Sequence, residues 1–184
     1  MSKSAAHRIV DHLAPLLALA PVTRRPGPDT VLIVDGTLVP THDRSVSASS
    51  KNYRYSVNRQ VVIDADTCLV VAVGWPVPGS YNDCTAFGDS GLDRACRGAN
   101  VMADGGYQGN PGVIMPYQKP RDGAELPEWK QRRNTVHKRV RARIEYAFAH
   151  MKTWAILRNC RHKRSGVQHA TRGIALMRNL TMTV

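Results

Sequence analysis

Four consecutive apolar residues, Val31-Leu32-Ile33-Val34, stand between a stretch rich in proline and glycine and the turn signal Asp35-Gly36-Thr37. A strand without polar alternation hides both of its faces, and such strands lie at the centre of sheets covered by helices on either side. A layered fold is therefore required. A chain of 184 residues, 42% of them apolar, can supply it as one domain of ordinary size. The same composition excludes a disordered tail or a low-complexity linker. No run of 18 apolar residues predicts a membrane-spanning helix, and nothing at the N-terminus reads as a signal peptide. Cys68, Cys84, Cys96 and Cys160 form no CxxC pair, which argues against a zinc knuckle and a disulfide framework, and a reducing cytoplasm is the simplest home.

Around that central strand the pattern predicts a meander. Tyr53, Tyr55 and Val57 alternate with polar residues and run into Val61-Val62-Ile63, a long second strand. Asp64 to Thr67 supply a tight turn, and Leu69 to Val73 read as a third strand paired antiparallel to the second. Residues 81–97 are weakly helical, Asn100 to Asp104 form a short strand, and Val113 to Met115 form another. Arg121 to Asn134 read as a basic loop. From Thr135 the best helix begins, with Val140, Ile144, Phe148, Met151 and Ala155 on one stripe. A further helix starts near Gly166. Upstream, residues 4–13 form a helix capped by Ser4, and a linker by composition sets a boundary near Asp29. The order predicts an α/β fold with a mixed five-stranded sheet flanked by helices. The domains are then 1–29, a helical segment and linker, and 30–184.

Charge is unevenly placed. Residues 1–120 carry 11 Lys+Arg against 10 Asp+Glu, whereas residues 121–184 carry 15 against 4. A one-sided excess within a net charge of +12 points to a polyanionic partner, nucleic acid above all, rather than a merely solvated basic face.

Three acids occupy unusual positions. Asp35 and Asp104 each end an apolar strand, and Glu145 lies one residue past Ile144, at the edge of the helix's buried face. Each has a plain structural reading: an Asp-Gly turn for the first two, and a surface pair with Arg141 at i−4 for the third. Together, in this strand order, they could converge. Converging carboxylates need a cation, and oxygen ligands suit Mg²⁺ or Mn²⁺. Two such ions suit phosphoryl transfer. Trp129 and Trp154 read as packing residues, and the histidines show no metal-ligand spacing.

Five segments, in order, carry a resemblance: Val34-Asp35-Gly36-Thr37; Lys51-Asn52-Tyr53 to Val62; Pro78-Gly79-Ser80-Tyr81-Asn82-Asp83; Ala103-Asp104-Gly105-Gly106-Tyr107; and Arg141, Glu145 and Lys152, which fit an R-x3-E-x6-K signature. Asn179-Leu180-Thr181 belongs with them. From Val31 to the C-terminus the chain resembles the catalytic domain of DDE-superfamily transposases, in the branch of bacterial insertion sequences related to the Harbinger elements. The resemblance implies a ribonuclease H-like fold. It implies Asp35, Asp104 and Glu145 as a catalytic, metal-binding triad for Mg²⁺ or Mn²⁺, two ions in all. It places Asp83 in a supporting role or as the alternative second acid. Where the family has a His-Asp pair this chain has Asn82-Asp83, and the signature's upstream Tyr is Lys138 here.

Arg141 and Lys152 are then expected to grip DNA beside the scissile phosphate, with Arg132, Arg133, Lys138 and Arg139 as general phosphate contacts. The implied activity is DNA cleavage at insertion-sequence ends, followed by strand transfer of the released 3′-hydroxyl into target DNA. Partners are element-end and target DNA and a second copy of the chain, with no membrane, in a bacterial cytoplasm at the nucleoid. Met1 to Leu13 resembles the last helix of a helix-turn-helix, with His7-Arg8 on its exposed face. The alternative is a truncated, catalytically inactive DNA-binding remnant or inhibitor.

Overall fold

The computed structural model describes residues 2–20, 26–163 and 165–182. Its organising element is β1 (Val31–Pro40), which contains the apolar run. β2 (Ser56–Asp64) pairs antiparallel along all of it, from Leu32 opposite Asp64 to Pro40 opposite Ser56. On the other edge, β5 (Asn100–Met102) lies parallel to β1, and β6 (Val113–Ile114) parallel to β5. β3 (Val70–Val73) pairs antiparallel with β2, giving the order β3-β2-β1-β5-β6 with β1 at the centre. A sixth strand, β4 (Val77–Pro78), pairs with the start of β2 and lies off that five-strand path.

Six helices complete the described chain: α1 (Lys3–Leu13), α2 (Asp83–Asp89), α3 (Leu92–Ala95), α4 (Glu128–Met151), α5 (Ala155–Arg158) and α6 (Gly166–Met182). Alternation along β1 and β2 sends residues to two separate cores. Ile33, Val57, Val61 and Ile63 pack against Ile144, Phe148 and Met151 of α4, Leu157 of α5 and Ile174 of α6. Leu32, Val34 and Val62 pack against Phe87, Leu92, Val101 and Tyr107. Each such side chain, fully buried, contributes about 1.5–3 kcal/mol relative to exposure. This is the mixed sheet with helical flanks that a ribonuclease H-like fold requires.

Several element bounds differ from the sequence reading. The second strand starts at Ser56 rather than Tyr53, because the Ser50 hydroxyl and backbone close a turn on Tyr53. The long helix begins at Glu128, seven residues before Thr135. Its first two turns are held by Arg132–Glu128 pairing and by Asn134, whose amide grips the Tyr117 backbone, and neither leaves an apolar stripe to read. That helix ends at Met151, so Ala155 belongs to α5 and Lys152 is the residue closing α4. In α1 the hydroxyl near the first turn is Ser2, which accepts from the Ala5 amide, not Ser4. Trp129 and Trp154 lie outside the buried core, although Trp129 packs edge-on against Tyr117 with ring centroids 5.4 Å apart. Thr23 to Arg25 of the expected linker, and the His7 side chain, lie outside the described residues.

Candidate active site

Asp35 is the fifth residue of β1, opposite Val61 of β2. Its side chain is 16% exposed, with Oδ1 accepting from the Gly36 amide at 2.8 Å and Oδ2 from Arg141 Nη1 at 3.0 Å. Burial pushes its carboxyl up to about 6. Asp104 and Asp83 push in the same direction, while the Gly36 amide and Arg141 oppose them. A buried carboxylate with two like charges nearby favours its neutral form unless a cation joins it.

Asp104 stands two residues past β5 and opens a 3-10 turn (Gly105–Tyr107), its Oδ1 accepting from the Gly106 amide at 2.8 Å. β1 runs on for five residues past Asp35 to Pro40, so Asp35 lies within its strand and does not end it as the sequence pattern suggests. Because β1 and β5 are parallel with Ile33 opposite Met102, Asp35 and Asp104 each stand two residues further on, on neighbouring segments at the level where β5 stops. Asp83 begins α2 and reaches the same region, where its charge acts on Asp35. Its Oδ1 accepts from Asn58 Nδ2 at 2.9 Å and Gln60 Nε2 at 2.8 Å. Gln60 in turn accepts from the Tyr107 hydroxyl through Oε1. Burial first, then the Asp83, Asp35 and Asp104 carboxylates, push the Tyr107 phenol upward, so it stays a hydroxyl donor.

Glycine makes this approach possible. A β-carbon at Gly36 would lie 2.1 Å from Asp83 Oδ1 and 2.5 Å from Gln60 Nε2. Asp83 thus lies directly over the backbone beside Asp35.

Glu145 is placed differently. Its side chain is 58% exposed, and Arg141 reaches it through Nη2 while holding Asp35 through Nη1. The guanidinium therefore stands between the first and third expected acids. Lys152 also feels Asp35: burial lowers its ammonium's proton affinity and the Asp35 carboxylate opposes that. Arg132, Arg133, Lys138 and Arg139 lie exposed along the outer half of α4. Arg132 pairs with Glu128, and Arg133 lies over the Trp129 ring.

Among the described residues no three His, Cys, Asp or Glu side chains are grouped closely enough to hold one ion. The donor chemistry at Asp35 and Asp104 nonetheless fits a hard divalent cation. Both are oxygen donors on neighbouring chain segments, and burial raises the Asp35 carboxyl even with Arg141 beside it. Glu145 is engaged by Arg141 instead.

The structure thus brings Asp83, Asp104, Arg141 and Lys152 within electrostatic reach of Asp35, and links the exposed Glu145 to it through Arg141. Asn58, Gln60 and Tyr107 escaped the sequence reading as site residues. Asn58 and Gln60 left one signal, two amides at alternating positions of a buried strand, a costly choice unless both find partners.

The family model described as Transposase DDE domain matches residues 26–180. A relative from Streptomyces albus G, "Putative transposase for insertion sequence element IS112", is 57% identical over 183 residues, covering 100% of this chain and 71% of the relative. No solved structure matches. With acids emerging from neighbouring parallel strands, a family match over most of its length and a relative this similar, the chain belongs to the DDE-domain transposase family.

Proposed function

We propose that this domain cleaves DNA phosphodiesters at the ends of an insertion sequence and joins the released 3′-hydroxyl to target DNA. The observation that supports this reading best is the placement of Asp35 on β1 and of Asp104 just past its parallel neighbour β5, each two residues beyond the Ile33–Met102 pair, with Arg141 and Lys152 acting on Asp35. Asp35 and Asp104 would hold Mg²⁺ or Mn²⁺, with Glu145 completing the set. When bound, the cations stabilise charge on the attacking and leaving oxygens. Arg141 has a double role: it neutralises Asp35 and Glu145 in the free domain, and it turns to the DNA backbone when a cation replaces it there. Lys152 offers a second donor to the same phosphate. Asp83, held by two amides, fixes the electrostatic floor of the site. Arg132, Arg133, Lys138 and Arg139 bind phosphates along α4, and a second copy of the chain would pair the two ends.

A binding-only reading is favoured by one observation, the capture of both Asp35 and Glu145 by Arg141. Nicking of supercoiled plasmid separates the two. Nicking that requires Mg²⁺ or Mn²⁺ and disappears in Asp35→Asn and Asp104→Asn supports catalysis. DNA binding without nicking under any divalent cation refutes it. Nicking that survives Asp104→Asn but not Asp83→Asn moves the second catalytic position to Asp83.

A further inference from the structure

Two motifs singled out in the sequence have no task in the account above: the loop through Lys51 and the segment Pro78 to Asn82. In the fold they face each other. With Gly36 to Leu38 of β1 as floor, they wall a cleft of about 580 Å³ that runs up to Asp83. Both walls are fastened to one residue, Ser56. Its hydroxyl donates to Ser50 Oγ at 2.9 Å, setting the lysine loop, and its carbonyl accepts from the Gly79 amide at 2.9 Å, setting the other wall. A β-carbon at Gly79 would lie 2.1 Å from Ser56 Oγ and 2.7 Å from Ser56 O, so only glycine brings that wall in. Asn58 ties Tyr81 O at 3.3 Å and Asp83 at 2.9 Å, joining the cleft to the acid cluster. The cleft is therefore a built extension of the site.

Its chemistry is selective. Lys51 is its one cation and has no carboxylate partner among the described residues. Thr37, Ser80 and Asn82 add neutral hydrogen-bonding groups, and Tyr81 is 40% exposed. The one carboxylate, Asp83, already has an oxygen held by two amides. A cation, neutral donors and an aromatic face match a nucleic-acid strand, with its repeating anionic oxygens and stackable bases. The volume lies within the ~300–1,000 Å³ common for ligand sites.

We propose that this cleft holds the DNA strand next to the scissile phosphate, with Lys51 on a backbone phosphate and Tyr81 under a base. The inference rests on the transposase reading above. It deepens that reading by assigning the strand's path to the Asp83 side of the site, opposite the basic face of α4.

The test measures binding of a fluorescein-labelled 20-nucleotide single strand in EDTA, so that its outcome is independent of cleavage. Lys51→Glu is expected to weaken binding on the order of tenfold and to flatten the salt dependence by roughly one phosphate contact, a slope change of about 0.7. Lys51→Arg should bind as the parent does, and Tyr81→Ala should weaken binding with the salt slope unchanged. Arg97→Glu, past α3 at the opposite end of the sheet, makes the same charge change and should leave binding unaltered. Equal effects of Lys51→Glu and Arg97→Glu, or none from Lys51→Glu in a protein with parental Tm, overturn the cleft assignment. Failure of the plasmid-nicking assay with these binding results intact would instead refute catalysis and leave the strand path standing.

Discussion

The two faces of β2 treat buried polar groups in opposite ways. On the face toward α2, Asn58 and Gln60 are both buried and both satisfied, in a chain that runs from Tyr107 through Gln60 and Asn58 to Asp83. On the face toward α4 and α6, Arg59 is fully buried, and none of its three guanidinium nitrogens has a hydrogen-bond partner among the described residues. Burial, with Arg172 adding its charge, lowers the Arg59 proton affinity to about 9. One face invests its polar atoms in positioning a carboxylate, and the other carries an unmatched cation. Burial alone therefore says little about a polar residue's task. Its partners decide whether it organises a site or taxes the fold.

Breaking the satisfied face should have the largest effect. Gln60→Met leaves the Tyr107 hydroxyl short of its acceptor and Asp83 short of a donor, a loss of about 1–3 kcal/mol for each group left unpaired. Urea denaturation measures it, and a change below a few tenths would mean that the network rearranges freely. Arg59→Met sharpens the contrast with the opposite sign. Replacing an unpaired buried charge by a hydrophobe of similar length is expected to raise stability by about 1–4 kcal/mol. Destabilisation in the same experiment would show that Arg59 has an anionic partner in the folded protein.

Asp35→Asn joins the two halves of the comparison. The Asp35 carboxyl is pushed up to about 6 from 3.8, so its ionised form opposes folding. The folded state holds more protons there, and the penalty is fully present above pH 6 and relieved as the pH falls through the interval to about 4. The Asn variant should therefore gain on the order of 1–3 kcal/mol at pH 7.5, and the gain should vanish below pH 4. Thermal melts of both proteins across that range check this, and a gain independent of pH would assign it to packing instead. The smallest effect belongs to the exposed Arg132–Glu128 pair, whose side chains are 76% and 77% exposed. Arg132→Ala should shift stability by less than about 0.5 kcal/mol while steepening no salt dependence of unfolding.

Much of this arrangement was readable in the chain. The unbroken apolar run of β1 predicts its central place, and Asp104 follows its strand as expected, whereas Asp35 lies mid-strand because β1 stays paired with β2 as far as Pro40. What escaped depends on contacts distant in sequence. Glu145 sits where helix periodicity puts it, at the edge of the buried face, but periodicity does not reveal that Arg141 ties it to Asp35 across 106 positions. Gln60 and Tyr107 are 47 residues apart, and no local pattern links them. The start of α4 was obscured for another reason: its first turns face solvent on most sides, so the apolar stripe used to find helices is absent there.

The length of α4 has a consequence of its own. Its 24 residues form one uninterrupted rod, about 36 Å long, with Arg132, Arg133, Lys138 and Arg139 exposed and Ile144, Ala147, Phe148 and Met151 sunk in the core. Under the proposed function it would act as a ruler between the surface that grips long DNA and the point where Arg141 meets Asp35. Side chains along it can be exchanged without altering that spacing. Adding or deleting one residue between Arg139 and Arg141 cannot be absorbed so easily, because it swings the outer half by about 100° and shifts it by about 1.5 Å. The length of this segment, more than its composition, sets the phase in which a duplex would be presented to the acids.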